Sequence, residues 1–376
     1  MRILLLGPAN SIHIERWFRA LHERGHDVTL ATQHPPVDGA YPSRSDMRLL
    51  PHRGMPGYAL NARALKRLAG DISPDVMNVH YASGYGLTSA LVKFTPTVLS
   101  VWGSDVFDFP YESWFKGKLI RWNLRRADQV ASTSEVMARQ VGRLVGKLRA
   151  PVAVTPFGVD TSLFAPTQKE ILRDQITIGT VKTLAHKYGI DTLVRAFAIA
   201  RASGELGRLG LSGKMRLTIV GDGPLREELP RLAERLGIGA VTRFVGAVAH
   251  SSVPSWLGQL DIYVAASRLD SESFGVAVIE ASSCGLPVIV SDAGGLPEVV
   301  EEGQTGFIVK RDNPEMLAER IERLVRDVGL RTALGARGRE LVLRKYDWQA
   351  CVDRMLGCYQ ETIERTGVRT RKSSDA

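Results

Sequence analysis

The stretch Arg268-Leu-Asp-Ser-Glu272-Ser-Phe-Gly-Val-Ala-Val-Ile-Glu280-Ala-Ser-Ser-Cys-Gly-Leu-Pro287 places two carboxylates around one helix start. From Phe274 to Cys284 runs a compact apolar segment with Ala, Val and Ile at helical spacing; Gly285 stops it, and Pro287-Val-Ile-Val290 reads as the buried strand that follows. Glu272 therefore precedes a helix and Glu280 lies within it. A fully helical path between them would put roughly 12 Å of axial rise between the carboxylates. That is too far for the paired acids of a glycoside hydrolase, which stand about 5 Å apart in retaining enzymes and somewhat further apart in inverting ones. Such spacing suits two ends of one long ligand. Between them the first-turn N–H groups near Phe274, Gly275 and Val276 point out of the helix at the positive end of its dipole, a setting that favours phosphate. The same spacing is also met by a plain helix-start charge at Glu272 and a solvated helix residue at Glu280.

The stretch resembles the signature of the retaining nucleotide-sugar glycosyltransferases of family four, a Glu-x7-Glu motif followed by Gly-x-Pro-Val, here Glu272 to Glu280 and Gly285-Leu-Pro-Val288. The resemblance implies the GT-B architecture: two Rossmann-like, doubly wound parallel-sheet α/β domains facing a cleft, with a C-terminal helix returning to the N-terminal domain. It also implies that Glu272 lies by the hydroxyls of the donor sugar, that Glu280 holds the ribose, and that Phe274, Gly275 and Val276 carry the diphosphate. Asp292-Ala-Gly-Gly-Leu-Pro-Glu298 and Gly303-Gln-Thr-Gly306 resemble further family turns. Gly221-Asp-Gly-Pro-Leu225 fits as well; as a dinucleotide fingerprint it fails, because Arg226 stands where the third glycine belongs. The family's basic pair is usually Arg then Lys. Here Lys182 takes the Arg position, which keeps the charge but not the bidentate fork, and an extra Tyr188 separates Lys187 from Gly189. Phe244 falls where the base would lie, its backbone reading the base edge. No Asp-x-Asp pair occurs and Cys284, Cys351 and Cys358 lack metal-ligand spacing. Neither a metal nor a cofactor is expected, with Lys182, Lys187 and the helix start meeting the charge of the leaving diphosphate.

Length and pattern agree with this. A chain of 376 residues exceeds one ordinary domain, and short apolar strands alternating with helical stretches predict α/β domains with parallel sheets. The expected division is residues 1–154 as an N-terminal acceptor-binding domain, 155–166 as linker, 167–345 as the nucleotide-sugar domain, 346–366 as the helix crossing back, and 367–376 as a disordered tail. The linker reading rests on Thr155-Pro-Phe-Gly-Val-Asp160 and Ala165-Pro166, which break periodicity. No apolar run approaches 18 residues, Met1 to Gly7 reads as a first buried strand rather than a signal peptide, and three unpatterned cysteines suit a reducing compartment. The expected location is cytoplasmic, peripheral on the inner face of the membrane.

Ligands of open parallel sheets bind beyond the carboxyl ends of the strands. His80, after Asp75-Val-Met-Asn-Val79, and Asp105, after Thr97 to Val101, are therefore candidates for contact with acceptor or sugar. His13 joins them from the first loop, where Ser11 is an N-cap candidate. The family often has His where Trp102 stands here, so that contact does not transfer. The net charge of +9 is uneven: between Tyr111 and Ala150 lie Lys116, Lys118, Arg121, Arg125, Arg126, Arg139, Arg143, Lys147 and Arg149. Trp114, Phe115, Leu119 and Trp122 fall among them, a pattern of helices that lie on anionic membranes; the other reading packs these aromatics into the first domain. No nucleic-acid module is recognisable. The expected activity is metal-independent transfer of a hexosyl unit, with retention, from a nucleotide sugar (UDP-sugar favoured) to an acceptor hydroxyl of a glycan or lipid-linked acceptor, in the synthesis of lipid-linked glycan, lipopolysaccharide or exopolysaccharide. A nucleotide-sugar epimerase, a phosphorylase and a non-catalytic sugar-nucleotide binding protein are the alternatives.

Overall fold

The computed structural model describes residues 1–36, 41, 46–167 and 174–367. The tail expected to be disordered lies outside the described residues from 368 on. The chain divides into two compact units, one formed by Met1–Pro156 with the chain from Cys351 onward, the other by Phe157–Ala350.

The first unit is built on a seven-stranded parallel sheet. Its strands are β1 (Arg2–Leu6), β2 (Asp27–Thr32), β3 (Met47–Leu49), β4 (Val76–His80), β5 (Thr97–Ser100), β6 (Gln129–Ser132) and β7 (Ala153–Val154), in the order β3-β2-β1-β4-β5-β6-β7. The central strands are near-continuous apolar runs because helices cover both faces of the sheet; Ile3, Leu4, Leu5, Leu6 and Val79 are all buried. The order reverses between β1 and β4, so a crevice opens beyond their carboxyl ends. The last helix, Trp348–Thr366, packs in this unit. Tyr359 Oη donates to Asn78 Oδ1 at 2.7 Å, and Arg365 reaches Gln129 Oε1 at 3.0 Å.

The second unit carries a six-stranded parallel sheet of β8 (Ile176–Val181), β9 (Met215–Val220), β10 (Thr242–Gly246), β11 (Ile262–Ala265), β12 (Val288–Ser291) and β13 (Gly306–Val309). Its order, β10-β9-β8-β11-β12-β13, reverses between β8 and β11. The sheets are thus as expected: parallel, doubly wound and two in number. One helix start is later than the sequence reading placed it. The helix expected from Phe274 runs Val276–Ser283, because Gly275 adopts a left-handed φ of 94° as its N-cap. After Lys187 the next helix runs Ile190–Arg201, and Gly189 at φ 60° ends a separate 3₁₀ turn, His186–Tyr188.

Candidate functional site

The carboxyl ends of β8 and β11 flank the reversal point of the second sheet, and the signature residues gather there. Lys182 directly follows β8 and Glu272 lies on the loop after β11; the Lys182 ammonium bridges both carboxylate oxygens of Glu272, at 3.0 and 2.9 Å. Their side chains are 20% and 9% exposed. Burial alone would push the lysine pKa down, but the Glu272 carboxylate outweighs it and holds the ammonium above its ordinary value. Glu280 is also buried, and its Oε1 meets His250 Nε2 at 3.1 Å. His250 in turn packs on the Phe164 ring. Neither acid is the solvated helix residue or bare helix-start charge that the spacing alone allowed.

Around the two acids, residues 271–275 and 278–284 are buried, whereas Val276 and Ala277 between them are partly open. The first helical turn is thus the accessible part of this segment, with the orphan N–H groups of a helix start. Phe274 supplies no side chain to a ligand. Its ring is buried edge-on between Phe157 and Tyr346, which anchors the helix start. Phe244 lies on β10, partly buried against the core, where the register with β9 slips before Gly246.

Glycines make the loops fit. A Cβ on Gly294 would lie 2.2 Å from Glu272 O and one on Gly295 2.1 Å from Ser273 O, and Gly295 N–H donates to Glu272 O at 2.9 Å. The paired glycines of the Asp292 turn therefore serve close approach to the loop that presents Glu272. Gly221 stands in the same relation to the backbone of Lys182.

Four residues here were not legible as site residues: His250, Tyr188, Arg268 and Arg311. The Tyr188 ring lies beneath both lysines, with Lys182 Nζ 4.4 Å and Lys187 Nζ 4.7 Å from its centroid. Among the described residues Lys187 makes no ion pair, so its charge is the unneutralised one of the two. Arg268 ties the turn of Lys187 to the loop of Glu272: its own N–H donates to Lys187 O at 2.8 Å, and its guanidinium reaches His186 O at 3.1 Å and Asp191 Oδ2 at 2.7 Å, and also pairs with Asp312. Arg311 spans Asp270 and Asp292 and donates to Arg268 O at 3.0 Å. The signals available were Tyr188 as an insertion and Arg268 at the head of the signature stretch.

In the first unit, the candidates gather around Trp102 beyond β4 and β5. His13 and His80 meet its ring edge-on at 5.4 and 5.5 Å, and Tyr81, at φ 77°, lies 4.9 Å away. His80 is fully buried, and neither ring nitrogen has a partner among the described residues. Burial, helped by nearby His13, pushes its pKa down to about 3. Asp105 is buried too, and accepts from the N–H groups of Ala82, Trp102 and Gly103 at 2.8, 3.1 and 2.9 Å. Its carboxylate organises this loop.

A cavity of about 550 Å³ lined by Asp174, Thr177, Arg216, Thr242 and Arg243 opens at the amino ends of β8 to β10. That is the opposite end from the signature residues, and the wrong end for a ligand of an open sheet.

Comparison with known proteins bears on the family and the fold. The family model for glycosyl transferases group 1 matches residues 164–341, and that for glycosyl transferase 4-like proteins matches residues 2–134. The GDP-mannose-dependent alpha-(1-6)-phosphatidylinositol monomannoside mannosyltransferase of Mycobacterium tuberculosis is 30% identical over 212 residues, covering 53% of each chain. The match thus spans about half the length of that curated relative. Among solved structures, sucrose-phosphate synthase from Thermosynechococcus elongatus superposes with a TM-score of 0.81 at 20% identity, over 97% of this chain and 100% of that one. HepE of Anabaena, in complex with UDP, gives 0.79 at 18% identity, over 96% and 100%.

Proposed function

Since the chain belongs to the group 1, family 4-like glycosyltransferases, we propose that it moves a hexosyl unit from a nucleoside-diphosphate sugar to an acceptor hydroxyl with retention at the anomeric carbon. The observation that carries this reading is the Lys182–Glu272 ion pair beside an open helix start, at the reversal point of the second sheet. In this reading Val276 and Ala277 offer N–H groups to the diphosphate, and Lys187 adds the unneutralised charge. Glu280, steadied by His250, takes the ribose hydroxyls. Glu272, steadied by Lys182, accepts from hydroxyls of the sugar. The bond from the anomeric carbon to the phosphate oxygen breaks while that carbon bonds to the acceptor oxygen on the same face; the acceptor proton passes to the departing diphosphate, whose charge the lysines and helix start hold. The acceptor is glycan or lipid-linked, bound through the His13, His80 and Trp102 region of the first unit, at the inner face of a membrane. Both donor bases have a precedent: GDP-mannose names the mycobacterial relative, and UDP is held by HepE.

Thermal stabilisation by a panel of UDP- and GDP-sugars tests the site, since a ligand that binds the native state raises the unfolding midpoint by mass action. We expect a selective shift with one donor, abolished in Glu280→Ala, and loss of transfer in Lys187→Ala. No shift with any nucleotide sugar overturns the donor site. Normal turnover by the Lys187 variant overturns the assignment of its charge. Isomerisation of the donor without acceptor, or transfer to inorganic phosphate, would identify an epimerase or a phosphorylase instead.

A further inference from the structure

The helix Trp114–Arg126 and the 3₁₀ turn Phe109–Tyr111 before it leave large aromatic side chains in water. Tyr111 is 67%, Trp114 72% and Phe115 68% exposed, which corrects the reading that all the aromatics of this segment pack into the first domain. Three such rings within five residues are a local concentration of exposed apolar surface of the kind that marks an interaction surface. The patch is held in shape rather than frayed. Ser113 caps the helix, accepting from Lys116 N–H. Gly117 brings the turn against the helix so closely that a Cβ there would lie 2.9 Å from Pro110 O. Gln140 donates to Tyr111 Oη at 2.9 Å, which fixes the phenol while its ring stays exposed.

The charge around the patch is mostly positive, with Asp108 and Glu112 the acids beside it. Ile120 and Leu124 face the core, whereas Phe115, Lys118, Trp122 and Arg126 recur every three or four residues and share the other side of the helix. Lys118 Nζ sits 3.7 Å from the Trp114 ring centroid, Lys116 Nζ 4.9 Å from that of Phe109, and the Arg126 guanidinium 5.4 Å from that of Trp122. Among the described residues, Lys116 alone of these three pairs with an acid, Glu112. Rings that pass through an aqueous–apolar boundary, rimmed by cations, match a bilayer interface: aromatic side chains seat at headgroup depth, and each nearby Lys or Arg adds attraction to anionic lipid.

We propose that Tyr111, Trp114 and Phe115 dock the protein on an anionic lipid bilayer, with Lys118 and Arg126 on the same side of the helix meeting the lipid phosphates. The helix runs from the carboxyl end of β5 back to the amino end of β6, so its aromatic start lies at the end of the first sheet where the crevice between β1 and β4 opens. The docked face is thus on the side of this unit from which a lipid-linked acceptor would enter.

Co-sedimentation of the full chain with vesicles tests this without reference to activity. We expect binding to vesicles of phosphatidylcholine mixed with phosphatidylglycerol, little binding to phosphatidylcholine alone, and release as salt rises from about 0.1 to about 0.5 M. Trp114→Ser with Phe115→Ser should weaken binding by about tenfold or more, and so should Lys118→Glu with Arg126→Glu. Neither pair should alter the midpoint shift produced by the donor, so failure of docking and failure of the donor site are read separately. A blue shift of tryptophan emission on vesicles, lost in Trp114→Phe, would place the ring in lipid. The proposal is overturned if the wild type ignores anionic vesicles, if the Ser variant binds them as the wild type does, or if the patch instead drives self-association that the Ser variant abolishes.

Discussion

Glu272 and Lys182 hold each other in a largely buried pair, so substituting one exposes the other's desolvation cost. Removing a single partner of a buried ion pair is strongly destabilising, whereas removing both need not be. With the Lys182 side chain still 20% exposed, we expect Glu272→Ala to lower unfolding stability by about 3 kcal/mol, at the low end of that range. Combining it with Lys182→Met should recover most of the stability and none of the transfer. A single variant that melts with the wild type would show that the pair is not held in a dry environment. His80 gives a second residue-level test. Its pKa is about 3 in the fold against about 6.5 unfolded. Between those values the unfolded chain binds a proton that the native imidazole refuses. Its contribution is therefore complete above pH 6.5 and falls by roughly 1.4 kcal/mol per unit as the pH drops towards 3. His80→Asn should flatten the acid side of the stability profile, measured by urea unfolding at successive pH values; an unchanged slope would contradict the burial. At this scale the sequence was informative where spacing carries chemistry. The interval between Glu272 and Glu280 marks a helix start between two acids, and Lys187 stands out only through the family resemblance, but His250 lies 30 residues from its partner Glu280, a pairing that no periodicity encodes.

Two arginines tie together the loops at the carboxyl ends of β8, β11 and β12, beside the Lys182–Glu272 pair and the Gly295 N–H to Glu272 O bond. Arg268 fixes the Lys187 turn through backbone carbonyls and Asp191, while Arg311 straps Arg268 O to Asp270 and Asp292. A lysine at 268 would keep the charge but could not fork to a carbonyl and two carboxylates together. If Lys187 binds the donor as proposed, losing one or two charge-assisted bonds that place its amine should raise the donor KM about tenfold. The turnover number should change less, since the departing charge would still meet Lys182 and the helix start. Steady-state kinetics of Arg268→Lys, with the unfolding midpoint measured alongside, separates this from simple destabilisation; an unchanged KM with a lowered midpoint would make the arginine merely structural. The central strands were legible to within a residue or two because both faces are buried and their apolar runs are unbroken. β3 and β7 were not. At three and two residues, with no fully buried position, they have neither the length nor the pattern that marks a strand.

The two units differ in how the chain closes them. The second is one uninterrupted segment, Phe157–Ala350, with its own core; the first is completed only by the chain from Cys351 onward. Alternation of strands and helices made two parallel-sheet domains readable; that the final helix returns to the first of them was expected from the family resemblance alone, and in the fold it rests on single contacts remote in sequence. Tyr359 is one. Its buried hydroxyl satisfies Asn78 Oδ1 inside β4, while Cys351, Val352, Met355 and Ile363 bury the helix's apolar side. A chain ending at Ala350 would return that apolar surface to water and leave the Asn78 oxygen unpaired in a strand buried along its length. The second unit would lose nothing from its core. Calorimetry of the truncated protein should therefore show the transition of the second unit alone, still raised by the nucleotide sugar that stabilises the full chain, while the first unit exposes apolar surface and binds a hydrophobic dye. Two intact transitions would show that the first sheet does not need its last helix. Loss of both would show that the units unfold as one cooperative body rather than as the two cores the contacts describe.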